Sequence, residues 1–218
     1  MSKTLSFAAA LMGATLLTGA AYAQSADSFV PKTAGTIMVR ARVIDVVPEN
    51  NGSSVSLIGG HVAATQQATP ELDLSYFLTN NIALELIAAT TSHLVSAHGT
   101  ALGKVDVGST SVLPPTLLVQ YHFMPDQKFS PYVGAGINYT WFYNTQPGGT
   151  PVTRFTLKNN FGEALQIGVD YALTGRWGLN VDVKQIFLST KASIDSGLIR
   201  AKTNLDPLVV GAGVSYKF

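Results

Sequence analysis

Cysteine is absent from this sequence and charge is scarce. Without cysteine there is no disulfide framework and no thiolate metal site, so an exported fold must be held by other means, such as a closed hydrogen-bonded sheet. Charged residues make up 12% of the chain, against about 25% in ordinary soluble domains. The formal net charge is +1, which argues against an extended nucleic-acid footprint and against a strongly charge-driven partner. Beyond the N-terminus no apolar run is long enough for a spanning helix. Yet hydrophobic residues reach 46% and mean hydropathy is +0.24. Hydrophobicity of that size without a second apolar run is what a transmembrane β-barrel shows, spread over alternating strands.

The N-terminus carries a positive Lys3, an apolar run over 5–20 and the small-residue site Ala21-Tyr22-Ala23. Together these read as a secretory signal peptide over residues 1–23, cleaved to leave a barrel domain over 24–218.

From there a period of two recurs. In 131–142, Val133, Ala135, Ile137, Tyr139 and Trp141 share one face, and Gly134, Gly136, Asn138 and Thr140 share the other. The same alternation marks 36–45, 71–78, 82–88, 116–123, 165–173, 177–184 and 208–218. About eight strands result. Tight turns such as Thr79-Asn80-Asn81 and Thr174-Gly175-Arg176 take turns with long connections over 46–69, 91–112, 144–160 and 191–204, which are expected to be loops. Short turns on one side and long loops on the other are the architecture of bacterial outer-membrane barrels. Aromatics near strand ends, among them Tyr76, Phe123, Trp141, Tyr171, Trp177 and Tyr216, match two interfacial girdles. The expected fold is all-β: an eight-stranded transmembrane antiparallel barrel in the outer membrane of a Gram-negative bacterium, apolar faces toward lipid.

Several segments then look familiar: Leu113-Pro114-Pro115-Thr116, Tyr132-Val133-Gly134-Ala135-Gly136-Ile137-Asn138-Tyr139-Thr140, Gly168-Val169-Asp170-Tyr171 and Leu205-Asp206-Pro207. In this order they resemble the outer membrane protein W family over essentially the whole mature chain. The terminal Tyr216-Lys217-Phe218 resembles the aromatic signal by which barrel-assembly machinery recognises such proteins. The resemblance implies a narrow, largely apolar channel associated with uptake of small hydrophobic molecules, and a likeness to barrels that assist alkane uptake.

Eight strands leave an interior just wide enough for side chains or one small ligand. Reading the inward residues by depth gives a polar, charge-paired floor of Arg40, Arg42, Glu85, His122, Asp170, Asp182 and Lys184. Above it comes an apolar chamber of Ile44, Leu118, Phe142, Ile186, Leu188 and Val209. Glu71 and Asp73 stand out as inward acids near the top. A hydrophobic molecule that enters from outside cannot easily pass such a floor, so it is expected to leave sideways into outer-membrane lipid. Gly134, Gly136, Pro114 and Pro115 are the candidate weak points in the wall. Leu57 and Ile58, in an apolar loop patch with Val55 and Val62, are candidates for a lid.

No catalytic residue, cofactor or metal is expected. His93 and His98 share one connection but form an incomplete ligand set. A lipid-modifying esterase or acyltransferase needs nucleophile, base and orienter together, and no histidine here is followed within two residues by serine. The other alternative is a sealed structural, adhesion or receptor barrel that acts through its extracellular loops.

Overall fold

The structure, a computed structural model, describes residues 28–49, 54–57, 59–195 and 199–218. The signal peptide expected over 1–23 and the lid candidate Ile58 lie outside the described residues. In chain order the described strands are β1 (Ile37–Val47), β2 (Ser54–Val55), β3 (His61–Ala64), β4 (Gln67–Phe77), β5 (Ile82–Ala89), β6 (Thr91–Thr100), β7 (Gly103–Leu113), β8 (Thr116–His122), β9 (Phe129–Pro147), β10 (Phe155–Leu157), β11 (Asn160–Ala172), β12 (Trp177–Phe187), β13 (Ser189–Ile194), β14 (Ile199–Asn204) and β15 (Leu208–Lys217).

Eight of them close a barrel in the order β11-β12-β15-β1-β4-β5-β8-β9. The ring is sealed where β9 pairs with β11, from Phe129↔Tyr171 to Thr140↔Asn160. All pairings are antiparallel. The alternation in the sequence explains the wall: Leu72, Leu74, Ile137, Leu165, Ile167 and Val181 point outward, and their inward neighbours are buried. Outward aromatics collect at two heights. Trp177, Tyr216 and Phe218 meet edge to face at the turn end, with centroids 4.9 and 4.8 Å apart, and Tyr139 meets Phe161 at 4.8 Å at the other. Phe161 and Tyr171 are ten residues apart on β11. At about 3.3 Å per residue and a tilt of about 40°, that spans about 25 Å, the height of an outer-membrane apolar band.

Among the described residues, much of the long connections expected as loops is strand. Above the outer girdle β6 and β7 form a hairpin that pairs with β3 on one side and with the extended end of β9 on the other. β10, β13, β14 and β2 make a second small sheet. Between the two sheets lies an apolar core that includes Val62, Val95, Val107, Phe155, Ala192 and Ile194. The barrel therefore carries an upper storey. Its pattern is the inverse of the wall's: with water outside instead of lipid, Val95, Ala97, Val105 and Val107 point in, while Ser92, Lys104 and Asp106 point out.

At the opposite end the segment before β1 crosses the mouth. Phe29 bridges to Gly175, Val30 N donates to Gly175 O at 2.8 Å, and Lys32 N donates to Pro125 O at 2.9 Å.

The wall is tight at Gly136. A Cβ there would lie 1.9 Å from the Leu117 carbonyl oxygen across the β8–β9 pair. Gly136→Val is expected to cost about 3 kcal/mol or more, because backbone cannot yield as a side chain would. Ala135→Val, whose side chain faces lipid, should change little. Urea unfolding followed by heat-modifiable gel migration measures both.

Candidate functional site: charged floor and apolar chamber

The lower half of the barrel interior is filled by long polar side chains tied to one another. Arg40, on β1, is fully buried. Its guanidinium donates to both carboxylate oxygens of Asp170 at 3.1 and 3.0 Å, to Ser75 Oγ at 2.7 Å and to Glu85 Oε1 at 2.8 Å. Two residues further on, the period of two brings Arg42 to the same face. It bonds Asn180 Oδ1 at 2.9 Å, pairs with Asp182 at 2.6 Å and Asp73 at 2.9 Å, and hydrogen-bonds Glu71. Lys184 joins Glu71 at 3.0 Å and Asp182 at 3.2 Å.

His122 is part of this network. Lys32 Nζ donates to its Nδ1 at 2.9 Å, so the ring proton sits on Nε2 and points to Gln120 Oε1 at 3.2 Å. Gln120 then donates to Gln166 at 2.9 Å, and Gln166 to Asp182 at 2.5 Å. Lys32 also reaches Asp170 and Ser130, each at 2.8 Å. Below lie the buried apolar residues Met38, Phe77 and Ala83. Such a layer is a plug: each charge is held by opposite charge, and long side chains occupy the width.

Above the floor the interior opens into a chamber with about 100 Å3 of space for the centres of water-sized molecules. Glu71 and Lys184 form its base. Ile44, Ile87, Phe142, Ile186, Leu188 and Val209 line its lower wall, and Val62, Val95, Val107, Phe155 and Ile194 continue it into the upper storey. Threonines at 91, 110, 116, 140, 190 and 203 are the main polar interruption.

All seven floor residues expected from the sequence meet in one network. Five of the six chamber residues line the chamber. The sixth, Leu118, is fully buried in the cluster beneath it and packs with Ile44 and Ile87. Glu71 and Asp73 are not near the top. β4 begins at Gln67, four residues earlier than the alternation suggests, so Asp73 stands opposite Arg40 and Glu71 opposite Arg42. Leu57 is 83% exposed and forms no lid, whereas Val55 and Val62 are buried in the upper core. His93 points into the chamber and His98 to the outside, stacked on His61 at 5.8 Å, so the two do not share a site. Gly134 and Gly136 sit in unbroken ladders on both sides and are not weak points.

Sequence reasoning missed Lys32, whose place depends on the lead crossing the mouth. It also missed the strands of the upper storey, although Val105 and Val107, and Ala192 and Ile194, carry the period-two signal.

A profile described as the OmpW family matches residues 33–218. The chain is 40% identical to the outer-membrane protein y4mB of Sinorhizobium fredii, over 100% of this chain and 98% of that one. It is 36% identical to outer membrane protein W of Vibrio cholerae, over 84% and 89%. Among solved structures, the outer membrane protein OprG of Pseudomonas aeruginosa superposes with a TM-score of 0.79 at 29% identity, covering 88% of this chain and 99% of that one.

The floor yields a stability prediction. Arg40→Met would leave Asp170 and Glu85 buried without their main partner. It should cost about 3–5 kcal/mol, the range for breaking a buried ion pair from one side. Lys32→Met should cost less, since Arg40 still holds Asp170. Urea midpoints of the purified variants check the order.

Proposed function

The chain belongs to the OmpW family of outer-membrane barrels, and from that premise and the geometry above we propose that it admits small hydrophobic molecules from outside the cell and releases them sideways into the outer membrane. One observation carries this reading: an apolar chamber ends on a charged, closely packed floor. An apolar solute gains by leaving water for the chamber, at about 25 cal/mol per Å2 of surface buried. It would lose that gain among the ions below. The way down is therefore closed to it and the remaining way is through the wall.

The wall has a seam at the right height. The β5–β8 ladder ends at Ile87↔Thr116 and the β6–β7 ladder starts at Thr91↔Val112 in the same register. The interval places Pro114 and Pro115 opposite Ala89 and Ala88. On the other flank, the β4–β5 ladder ends at Glu71↔Ala89 and the β3–β6 ladder starts at Ala64↔Val95, one residue out of step, with Pro70 between. Proline has no N–H to give, so strands can part there without exposing an orphan donor to lipid. Few bonds cross these gaps: Thr65 N donates to Leu94 O at 3.1 Å, Thr69 Oγ1 donates to Thr90 O at 2.8 Å, and Thr90 Oγ1 hydrogen-bonds the hydroxyl of Tyr143 on β9. Ala89, Thr91 and Pro114 line the chamber directly behind.

A comparable interval between β12–β15 and β13–β14 is better closed. Ile186 N donates to Pro207 O at 3.1 Å, Leu205 N to Leu188 O at 2.8 Å, and Leu188 N to Asp206 Oδ1 at 2.7 Å. This favours the seam at Thr90 as the exit. Phe218, exposed beside Tyr216, is the proposed signal to the assembly machinery.

Uptake of octane, with a small sugar as control, by cells lacking and then regaining the protein tests the reading. Octane should enter faster and sugar should not. Faster sugar uptake would mean an aqueous pore, and no change in either would favour a sealed barrel acting through its outer surface. Phe142→Trp, which fills the chamber while keeping it apolar, should slow octane several-fold. The route has its own test, made clean by the absence of native cysteine. A disulfide formed in the Thr69→Cys/Thr90→Cys variant should slow octane delivery, and a reductant should restore it. Equal rates in the oxidised and reduced forms would remove the seam from the mechanism.

A further inference from the structure

The threonine ring of the chamber has a polarity that restricts its ligand. Resting on the reading of this space as a ligand chamber, we propose that it favours amphiphiles whose head group donates a hydrogen bond, alcohols and amines, over ethers, carbonyl compounds and carboxylates.

A threonine hydroxyl has one proton to give and two lone pairs to receive with. Four buried threonines in the lining have that proton engaged by a fixed protein acceptor. Thr116 Oγ1 donates to Pro114 O at 3.0 Å, and Thr190 Oγ1 to Lys158 O at 2.7 Å; a carbonyl can only accept. Thr140 Oγ1 lies 2.6 Å from Asn138 Oδ1. The amide's orientation is fixed, because its Nδ2 faces Pro114 O at 3.1 Å and Thr116 Oγ1 at 2.8 Å, so Thr140 is the donor. Thr91 Oγ1 lies 2.8 Å from His93 Nε2. His93 Nδ1 is 2.6 Å from Thr65 O and must carry the ring proton there. Burial favours the neutral imidazole, whose bare Nε2 then receives the Thr91 proton.

What these hydroxyls show to the chamber is lone pairs. Glu71 at the base adds carboxylate oxygens, and two of the three protons of the Lys184 ammonium beside it are engaged by Glu71 and Asp182. An O–H or N–H on a ligand finds acceptors at several heights. An ether or carbonyl oxygen leaves water and meets mostly other acceptors. The Thr203 hydroxyl and the third Lys184 proton are the donors left among the described lining residues, so most of the desolvation of a polar group is not recovered. A carboxylate meets, in addition, the charge of Glu71. Sites built around hydrogen bonding to a ligand hydroxyl discriminate far more sharply than apolar pockets do.

The test uses octanol and its isomer methyl heptyl ether, which match in size and differ in the O–H, with octane as the reference. Rates are taken as the difference between cells with and without the protein. Octanol should exceed the ether several-fold, and octanoate should gain least. In Thr140→Val/Thr190→Val, confirmed folded by heat-modifiable migration, the ratio of octanol to ether should fall toward that of cells without the protein. If the pair does not fold, Thr190→Val alone carries the same comparison. Equal octanol and ether rates in the unmodified protein, or a ratio untouched by the valines, overturns the inference while octane uptake leaves the chamber reading standing. If no probe, octane included, enters faster with the protein, the chamber reading itself fails.

Discussion

In hydrocarbon a backbone N–H or C=O without a partner costs several kcal/mol, and this constraint governs the molecule. It forces the sheet to close, which β9 and β11 accomplish. It explains why the first strand is held on both sides, by β15 and β4, from its first residues to its last. It also makes the exceptions informative. Where the ladders lapse, at Thr90, the facing segments supply Pro70, Pro114 and Pro115, residues that have no N–H to orphan. The carbonyls of Pro114 and Pro115 are taken by Asn138 and Tyr139 from the β9 side. A wall that must be complete is thus incomplete at a place where incompleteness costs least.

The second constraint is width. Eight strands fix one diameter from floor to rim. The contents differ because side-chain size differs. Arg40, Arg42, Tyr132, His122 and Lys184 fill the lower section, and Tyr132 lies with its ring 5.4 Å under the Arg40 guanidinium. Higher up, Ala89, Thr91, Thr116, Thr140 and Val209 alternate with Ile44, Phe142, Ile186 and Leu188, and the short members leave space between them. The change from long, mutually bonded polar side chains to shorter threonine and aliphatic ones along the same strands turns a plug into a chamber.

Much of this was legible in the sequence. Side-chain direction follows strand parity, and parity is unbroken in the wall, so the inward set emerged intact, from Arg40 and Arg42 to Asp170 and Asp182. Height was less legible. It depends on where a strand starts, and Gln67–Pro70 look like connection while pairing with β1, which misplaced Glu71 and Asp73 by about one residue pair of depth. The upper storey was hidden for a different reason. Once lipid gives way to water the pattern turns inside out, and serine, threonine and glycine on the outer face give β6 and β7 the look of loop. Leu118 has the right parity and the right character, but only packing decides whether an inward leucine lines a space or lies beneath it.

Lys32 ties the barrel interior to the segment that crosses its lower mouth. Nothing in its neighbourhood in the chain marks it, yet its ammonium sits among Asp170, Ser130 and His122 and fixes the tautomer of the histidine. Without Lys32 the Asp170 carboxylate would still have Arg40, and the segment across the mouth would keep only the Lys217 ammonium, on Val30 O, as a side-chain anchor from the barrel interior. That segment is joined to the turns by backbone bonds at Val30 and Lys32, and those alone face water on one side. The floor is therefore not only a property of the barrel. It is completed by a piece of chain from outside the ring, and the closure of the lower end and the electrostatic balance of the interior are one feature.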